Sequence, residues 1–242
     1  MKIFVFSLCR NEADILPFYL RHYSAFADRI FVWDDQSTDG SRELLLANPK
    51  VTLNDWSHDS GIDEDLFLQF AYATYPLARG QADWVIWVDC DEFIYDPDLE
   101  GVLREAQEQQ YEVVQTVGFN MAGDGLPADD GRQIWEILVN GVSAPVYSKP
   151  VVFRPECEIR WNRGKHDLEQ CNVRLSPLPM LKLLHYRYLG AEYTRRKNLK
   201  NYDRVGLKTG DKSHGWSCSP DWKGDHSPEW AEAIKAKAYP VV

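Results

Sequence analysis

The stretch Trp84-Val85-Ile86-Trp87-Val88-Asp89-Cys90-Asp91-Glu92-Phe93-Ile94-Tyr95 decides the fold. Its consecutive apolar residues, closed by an acidic cluster, predict a strand buried on both faces, as in a parallel sheet with helices on each side. Such a strand ends where its carboxylates reach water, which sets Asp89 and Asp91 at its C-terminal edge. At i and i+2 of an extended chain the two share one side. The carboxyl edge of an open α/β sheet is where ligands bind. Two carboxylates there repel unless a cation separates them, and a hard divalent ion bridging phosphates suits the pair. A solvated acidic turn is the competing reading of an isolated Asp-x-Asp, so the rest of the chain has to decide.

Toward the amino terminus the pattern alternates. Residues 2–9 read as a buried strand, Arg10-Asn11-Glu12 as a loop, and 14–25 as a helix with Pro17 tolerated in its first turn. A second strand over 29–33 runs into the polar turn Asp34–Ser41, whose cap residues launch a helix at 42–47. A short strand at 51–53 and a long helix over 64–78 complete a β-α-β-α-β-α-β order, which predicts a mostly parallel sheet with right-handed crossovers. After Tyr95 the rhythm changes. A helix over 97–110, strands at 112–117, 149–154 and 180–186, a Gly- and Asp-rich loop over 118–131, and a basic helix over 192–202 are expected. Long loops are disproportionately functional. Residues 1–205 thus read as one α/β domain, and 206–242 as a loosely structured tail with one short helix near 228–237.

Composition narrows the function. With 242 residues and a net charge of −10, the chain has the length of one large domain and lacks the basic surface of a nucleic-acid binder. Its five cysteines are odd in number and scattered, so neither a zinc knuckle nor a disulfide framework is indicated. The apolar run at the amino terminus is short, lacks a small-residue cleavage site, and reads as a first core strand. No stretch approaches the ~20 apolar residues that span a membrane. A cytoplasmic protein with reduced thiols is expected.

Three polar clusters, Arg10-Asn11-Glu12, Asp34-Asp35 and Asp89-x-Asp91, fall at the ends of three strands. Adjacent parallel strands lie roughly 4.8 Å apart, so the clusters can line one crevice. A nucleotide fits it, with Asp35 accepting hydrogen bonds from a base or ribose while Asp89 and Asp91 hold a metal on the diphosphate. Asp34 to Ser41 is also an ordinary capping turn, though capping does not require two acids before it. Lys149 and Arg154 flank a strand and could meet phosphate oxygens or simply be solvated.

The segments C-R-N-E-A-D-I-L-P-F-Y-L-R-H-Y, I-F-V-W-D-D-Q-S-T-D-G-S and D-W-V-I-W-V-D-C-D-E-F together resemble the glycosyltransferase family 2-like group, which has a GT-A fold. Downstream, K-P-V-V-F-R-P, G-K-H-D and L-L-H-Y-R-Y-L-G-A-E-Y are also similar to that group, so the resemblance covers roughly residues 2–200. It implies sugar transfer from a nucleotide-diphosphate donor, with Mn²⁺ or Mg²⁺ at the aspartates. Asp35 would touch the base, Asp89 and Asp91 the ribose and metal, and His185 matches a histidine that completes the metal shell. His185 also reads as a satisfied histidine at a strand end. No clear Glu-Asp pair stands where many members carry their base, which leaves Asp124 and Asp167 as the candidates.

Two other classes compete. An aspartate-nucleophile phosphohydrolase also places Asp-x-Asp after an apolar strand, but it would want that strand first in the domain. A non-catalytic nucleotide- or glycan-binding module fits the weak base assignment. The acceptor is expected to be a glycan or another hydroxyl compound. Arg195, Arg196, Lys197 and Lys200 on one helix, with Trp216, Trp222 and Trp230 following, suit an anionic membrane face presenting a lipid-linked glycan. The competing reading is a helix that packs on the domain and exposes its charges.

Overall fold

The alternation of the core strands is realised on two faces. In the computed structural model, which describes residues 1–57, 63–169, 171–202 and 227–242, strand β1 (Ile3–Cys9) turns Ile3 and Val5 to one core cluster and Phe4 and Phe6 to another. Strand β4 (Trp84–Trp87) does the same with Trp84 and Ile86 against Val85 and Trp87. Helix α1 (Leu16–Ser24) covers the first face through Tyr19 and Tyr23. Helix α3 (Glu64–Thr74) covers the second through Leu68 and Ala71. This two-sided burial is why the strands read as apolar runs.

With β2 (Arg29–Asp34) and β3 (Val51–Asp55) the strand order begins β3-β2-β1-β4, all parallel. Helix α2 (Ser41–Leu46) lies between β2 and β3 in the chain. The register Cys9↔Asp34 and Phe6↔Trp87 brings the three polar clusters to the same edge. The α/β, GT-A-like class expected from the sequence is therefore the class observed, with helices flanking the sheet.

The mostly parallel expectation holds only for this half. After β5 (Glu92–Tyr95) and α4 (Leu99–Glu108), two short strands extend the first sheet: β9 (Val152–Phe153) pairs antiparallel with β4, and β6 (Val113–Val114) pairs antiparallel with β9. The remaining strands are β7 (Thr116–Met121), β8 (Asn140–Ser143), β10 (Leu181–His185) and β11 (Tyr239–Pro240). With β5 they form a second, mixed sheet in the order β11-β8-β7-β10-β5. Helix α5 (Ile134–Ile137) precedes β8.

Four expectations change. The strand ends at Trp87, so Asp89-Cys90-Asp91 is a turn rather than extended chain, closed by the Glu92 N–H donating to the Asp89 carbonyl at 3.0 Å. Residues 118–121 finish β7 instead of opening the Gly-rich loop, because the Gly118 Cα lies against the Tyr147 backbone where any Cβ would collide. The strand expected over 149–154 shrinks to Val152–Phe153. The short helix expected near 228–237 is present as α7 (Pro228–Lys235), but residues 227–242 are packed rather than loose: α7 buries Ala231 and Ile234, and β11 pairs with β8. The boundary at 205/206, Trp216 and Trp222 lie outside the described residues.

Cys9, Cys90, Cys157 and Cys171 are free thiols. Among the described residues no helix is long and apolar enough to cross a membrane.

Candidate active site

The turn after β4 places its acids between elements far apart in the chain. Asp89 accepts from Lys165 Nζ at 2.8 Å, whereas Asp91 turns away toward helix α6 (Gly190–Tyr202), where Lys197 Nζ lies 3.0 Å from its Oδ2. The third acid, Glu92, is buried against Lys149 at 2.5 Å, and its other oxygen accepts from the Asp89 N–H. Three acids and three lysines thus alternate around the end of β4. A buried carboxylate persists only with such partners.

Burial alone would raise the Asp91 carboxyl, but the Lys197 ammonium, then His185 and Arg187, hold it well below the usual range. Glu92 is raised, since burial outweighs Lys149. Burial would lower Lys149, but Glu92 and then Asp89 hold it above its ordinary value.

Asp89, Asp91, Glu92 and Lys149 line a cavity of about 280 Å³ with Glu64, Phe67, Tyr147, Gly164, Lys165, His166, His185 and Arg187. Lys165 is the buried cation at its floor, 4.7 Å from the Phe67 ring centre and 4.8 Å from that of Trp87. Aromatic faces attract such a charge. It sits at φ 59° after Gly164 at φ 75°, a left-handed pair that reverses the chain inside the short 3₁₀ turn Arg163–Lys165.

His185 closes the far side. Its Nδ1 meets Asn120 Oδ1 at 2.9 Å and its Nε2 lies 3.9 Å from Asp91 Oδ1. The Tyr147 ring rests 4.0 Å above it. Burial lowers its pKa to about 3, so the imidazole is neutral, the form that ligates metals.

A divalent cation needs several donors converging on one point. Among the described residues no three His, Cys, Asp or Glu side chains converge on one point. Asp91 and His185 do face each other, with the imidazole oriented by Asn120, and are the two donors that could share a divalent ion. Asp89 is held apart by Lys165.

The other expected site residues divide. Arg10 Nη1 donates to the Asp35 carbonyl at 2.8 Å and lies 3.4 Å from its Oδ1, covering a carboxylate that is itself buried. Asn11, at φ 52°, is fastened to the next loop: its N–H donates to Ser37 Oγ and its Oδ1 accepts from the Thr38 N–H. Glu12 binds Lys197 at 2.6 Å and Lys200 at 2.9 Å. The Ser37 and Ser41 hydroxyls, read as caps, accept from the Asn11 and Glu12 N–H groups, so that turn serves to shape the loop after β1.

Several residues stand elsewhere. Arg154 stacks on Trp84 at 5.4 Å, at the start of β4 and hence the opposite end from Asp89, which removes it from phosphate binding at this site. Asp124 is exposed and paired with Lys235 of α7. Asp167 is exposed and accepts from the Leu168 N–H within its own loop. Neither lines the cavity. The basic helix, expected as a membrane contact, has two of its four cations engaged within the protein. Lys197 is buried and Lys200 reaches Glu12 and the Asn11 carbonyl, which leaves Arg195 and Arg196 as its exposed cations.

Nothing in the sequence marks Lys165, His166 and Lys197 as neighbours of the acid cluster. The first two belong to the G-K-H-D segment already noted, but nothing in their spacing says which way the loop folds.

A parallel-stranded α/β domain has an acid cluster at its strand ends, facing a cavity ringed by cations, on the edge where ligands bind in open α/β sheets. The chain belongs to glycosyl transferase family 2, whose sequence model matches residues 5–170. It is also 30% identical over 119 residues to the uncharacterized proteins Rv3786c of Mycobacterium tuberculosis and Mb3815c of Mycobacterium bovis. Those matches take in 45% of this chain and 28% of each relative, so the chain spans well under two thirds of their length. Among solved structures, S. aureus TarS is similar at 15% identity with a TM-score of 0.42, covering 90% of this chain and 42% of that one. TarS 1–349 in complex with UDP is similar at 13% identity and TM-score 0.41, over 90% and 69% of the two chains.

Proposed function

We propose that this domain transfers a glycosyl group from a nucleotide-diphosphate sugar to a hydroxyl acceptor. The observation that carries the reading is the meeting of Asp89, Asp91 and Glu92 with Lys149, Lys165 and Arg187 around one cavity at the strand ends. A leaving diphosphate needs positive charge where its oxygens develop negative charge, and these cations line the place where it would lie. Family membership supports glycosyl transfer over phosphate-monoester hydrolysis.

In this reading Asp91 and His185, with Asp89 across the turn, would hold Mn²⁺ or Mg²⁺. Such an ion, when bound, neutralises charge on the leaving group. Asp35 recognises the base after Arg10 moves aside. Lys165 and Lys149 bind and orient the diphosphate from the floor of the cavity. A direct displacement at the anomeric carbon needs one base and an assisted leaving group, so the product is inverted. The acceptor is a glycan or other hydroxyl compound.

Incubation of the protein with nucleotide sugars and, separately, with a phosphate monoester tests the proposal. Release of nucleoside diphosphate from the sugar donor, without phosphate release from the monoester, is the expected outcome. Nucleotide binding without any turnover would instead make it a binding module.

A further inference from the structure

Resting on the glycosyl-transfer reading, we propose that His166 is the general base that takes the proton from the acceptor hydroxyl. Four carboxylates line the cavity. Asp89, Asp91 and Glu92 each hold a lysine ammonium, at 2.8 Å, 3.0 Å and 2.5 Å, and Glu64 is the exposed first residue of α3. A carboxylate that accepts an ammonium is a poor proton acceptor for a second partner. Asp124 and Asp167 do not line the cavity.

His166 does line it, and its tautomer is set by geometry. Its Nδ1 is 2.6 Å from the carbonyl oxygen of Val146. A carbonyl only accepts, so Nδ1 carries the hydrogen and Nε2 carries the lone pair. A base whose second nitrogen is fixed by a carbonyl is the arrangement of an oriented imidazole base. Gly164 makes room for the ring: a Cβ there would run into Nε2 and Cδ2, so the left-handed glycine serves both the chain reversal and the imidazole. The Tyr147 ring meets it edge-on at 5.9 Å.

The groups facing His166 are Lys149, Lys165, Asp89 and Tyr147. Burial, and next the Lys149 ammonium, push its pKa below the ordinary imidazole value. The ring is neutral at pH 7 and able to accept. In the step, the acceptor O–H bond breaks and its proton passes to Nε2. The acceptor oxygen forms the new bond to the anomeric carbon as the bond from that carbon to the diphosphate oxygen breaks. The nucleoside diphosphate leaves with the electron pair, and the imidazolium later returns its proton to water.

The test uses the full chain with Mn²⁺ and UDP-glucose, UDP-N-acetylglucosamine and GDP-mannose, with water or added glycans as acceptor. Nucleoside-diphosphate release and donor binding are measured for wild type and His166→Gln. The expected result is a loss of kcat of about 100-fold or more, with donor Kd unchanged within about twofold. The acid limb of the wild-type pH–rate profile should vanish, and added imidazole should partly restore His166→Ala. An unchanged rate and acid limb in His166→Gln, or their loss in Glu64→Gln alone, overturns the assignment. ¹⁵N NMR reads the ring without turnover: a protonated Nδ1 and bare Nε2 at pH 7 support it, and the reverse tautomer overturns it. Should wild type neither bind nor turn over any of these donors, the glycosyl-transfer reading falls and the base assignment with it.

Discussion

Lys197 of α6 reaches across the site to Asp91, its Nζ 3.0 Å from Oδ2 and 2.6 Å from Glu12 Oε2. One buried cation therefore joins the late helix, the turn after β4 and the loop after β1. Burial would lower its pKa, but Asp91 and then Glu12 raise it well above the ordinary lysine value. The contact is an electrostatic pin for the site as well as a part of it.

Lys197→Met should accordingly destabilise the protein by about 3–5 kcal/mol, the cost of leaving a buried charge without its partner. Urea unfolding of both proteins at pH 7 measures it. A change under ~1 kcal/mol would show that Asp91 finds solvent or another cation instead.

The second prediction concerns His22, which lies apart from the site. Its Nε2–H donates to the Ile94 carbonyl at 2.9 Å and its Nδ1 accepts from Trp135 Nε1 at 3.4 Å, so only the neutral ring fits. Burial lowers its pKa to about 4. The unfolded chain titrates this ring near ~6.5, so between that pH and about 4 the unfolded state binds more protons and stability falls with falling pH. The contribution is complete above that window and amounts to roughly 3 kcal/mol. His22→Gln should flatten the loss, seen by comparing urea midpoints at pH 7 and pH 4.5. Parallel curves for the two proteins would refute the assignment.

Nucleoside diphosphates should raise the melting temperature in Mn²⁺ or Mg²⁺ and do so less in EDTA. The Asp91–His185 pair motivates the metal dependence, while Lys149 and Lys165 keep some affinity without it. At ~100 times its Kd the ligand should add about 2.7 kcal/mol. Equal shifts with and without the cation would remove the metal from the site.

The last prediction tests the C-terminal segment. Ile234 of α7 is 5% exposed and packs with Ala122, Tyr188 and Ala231. Ile234→Ala should cost about 2–5 kcal/mol in an unfolding titration. A loose tail would lose nothing measurable.

Much of this is legible in the sequence alone. The run Trp84–Val88 could be read as a two-faced strand because local alternation and burial obey the same period. The strand ends at Arg10, Asp35 and Asp89 could be placed on one edge because parallel strands share direction. The aspartates were found as residues but misread as a pair. An extended chain sets i and i+2 on one side, and only the turn at Cys90 sends Asp89 to Lys165 and Asp91 to Lys197.

What the sequence by itself determined, then, is the parallel core, the edge on which its polar clusters gather, and the family. What only the tertiary structure decided is which charges meet there. Lys149, Lys165, His166 and Lys197 come from segments whose sequence records composition but not direction, and Arg154 and Asp124 looked equally suitable until the chain carried them elsewhere. The physical reason is range. Strand and helix periodicity is set by neighbours a few residues away, whereas an ion pair in a cavity is set by how whole elements pack, and burial keeps only those pairings that leave no charge alone.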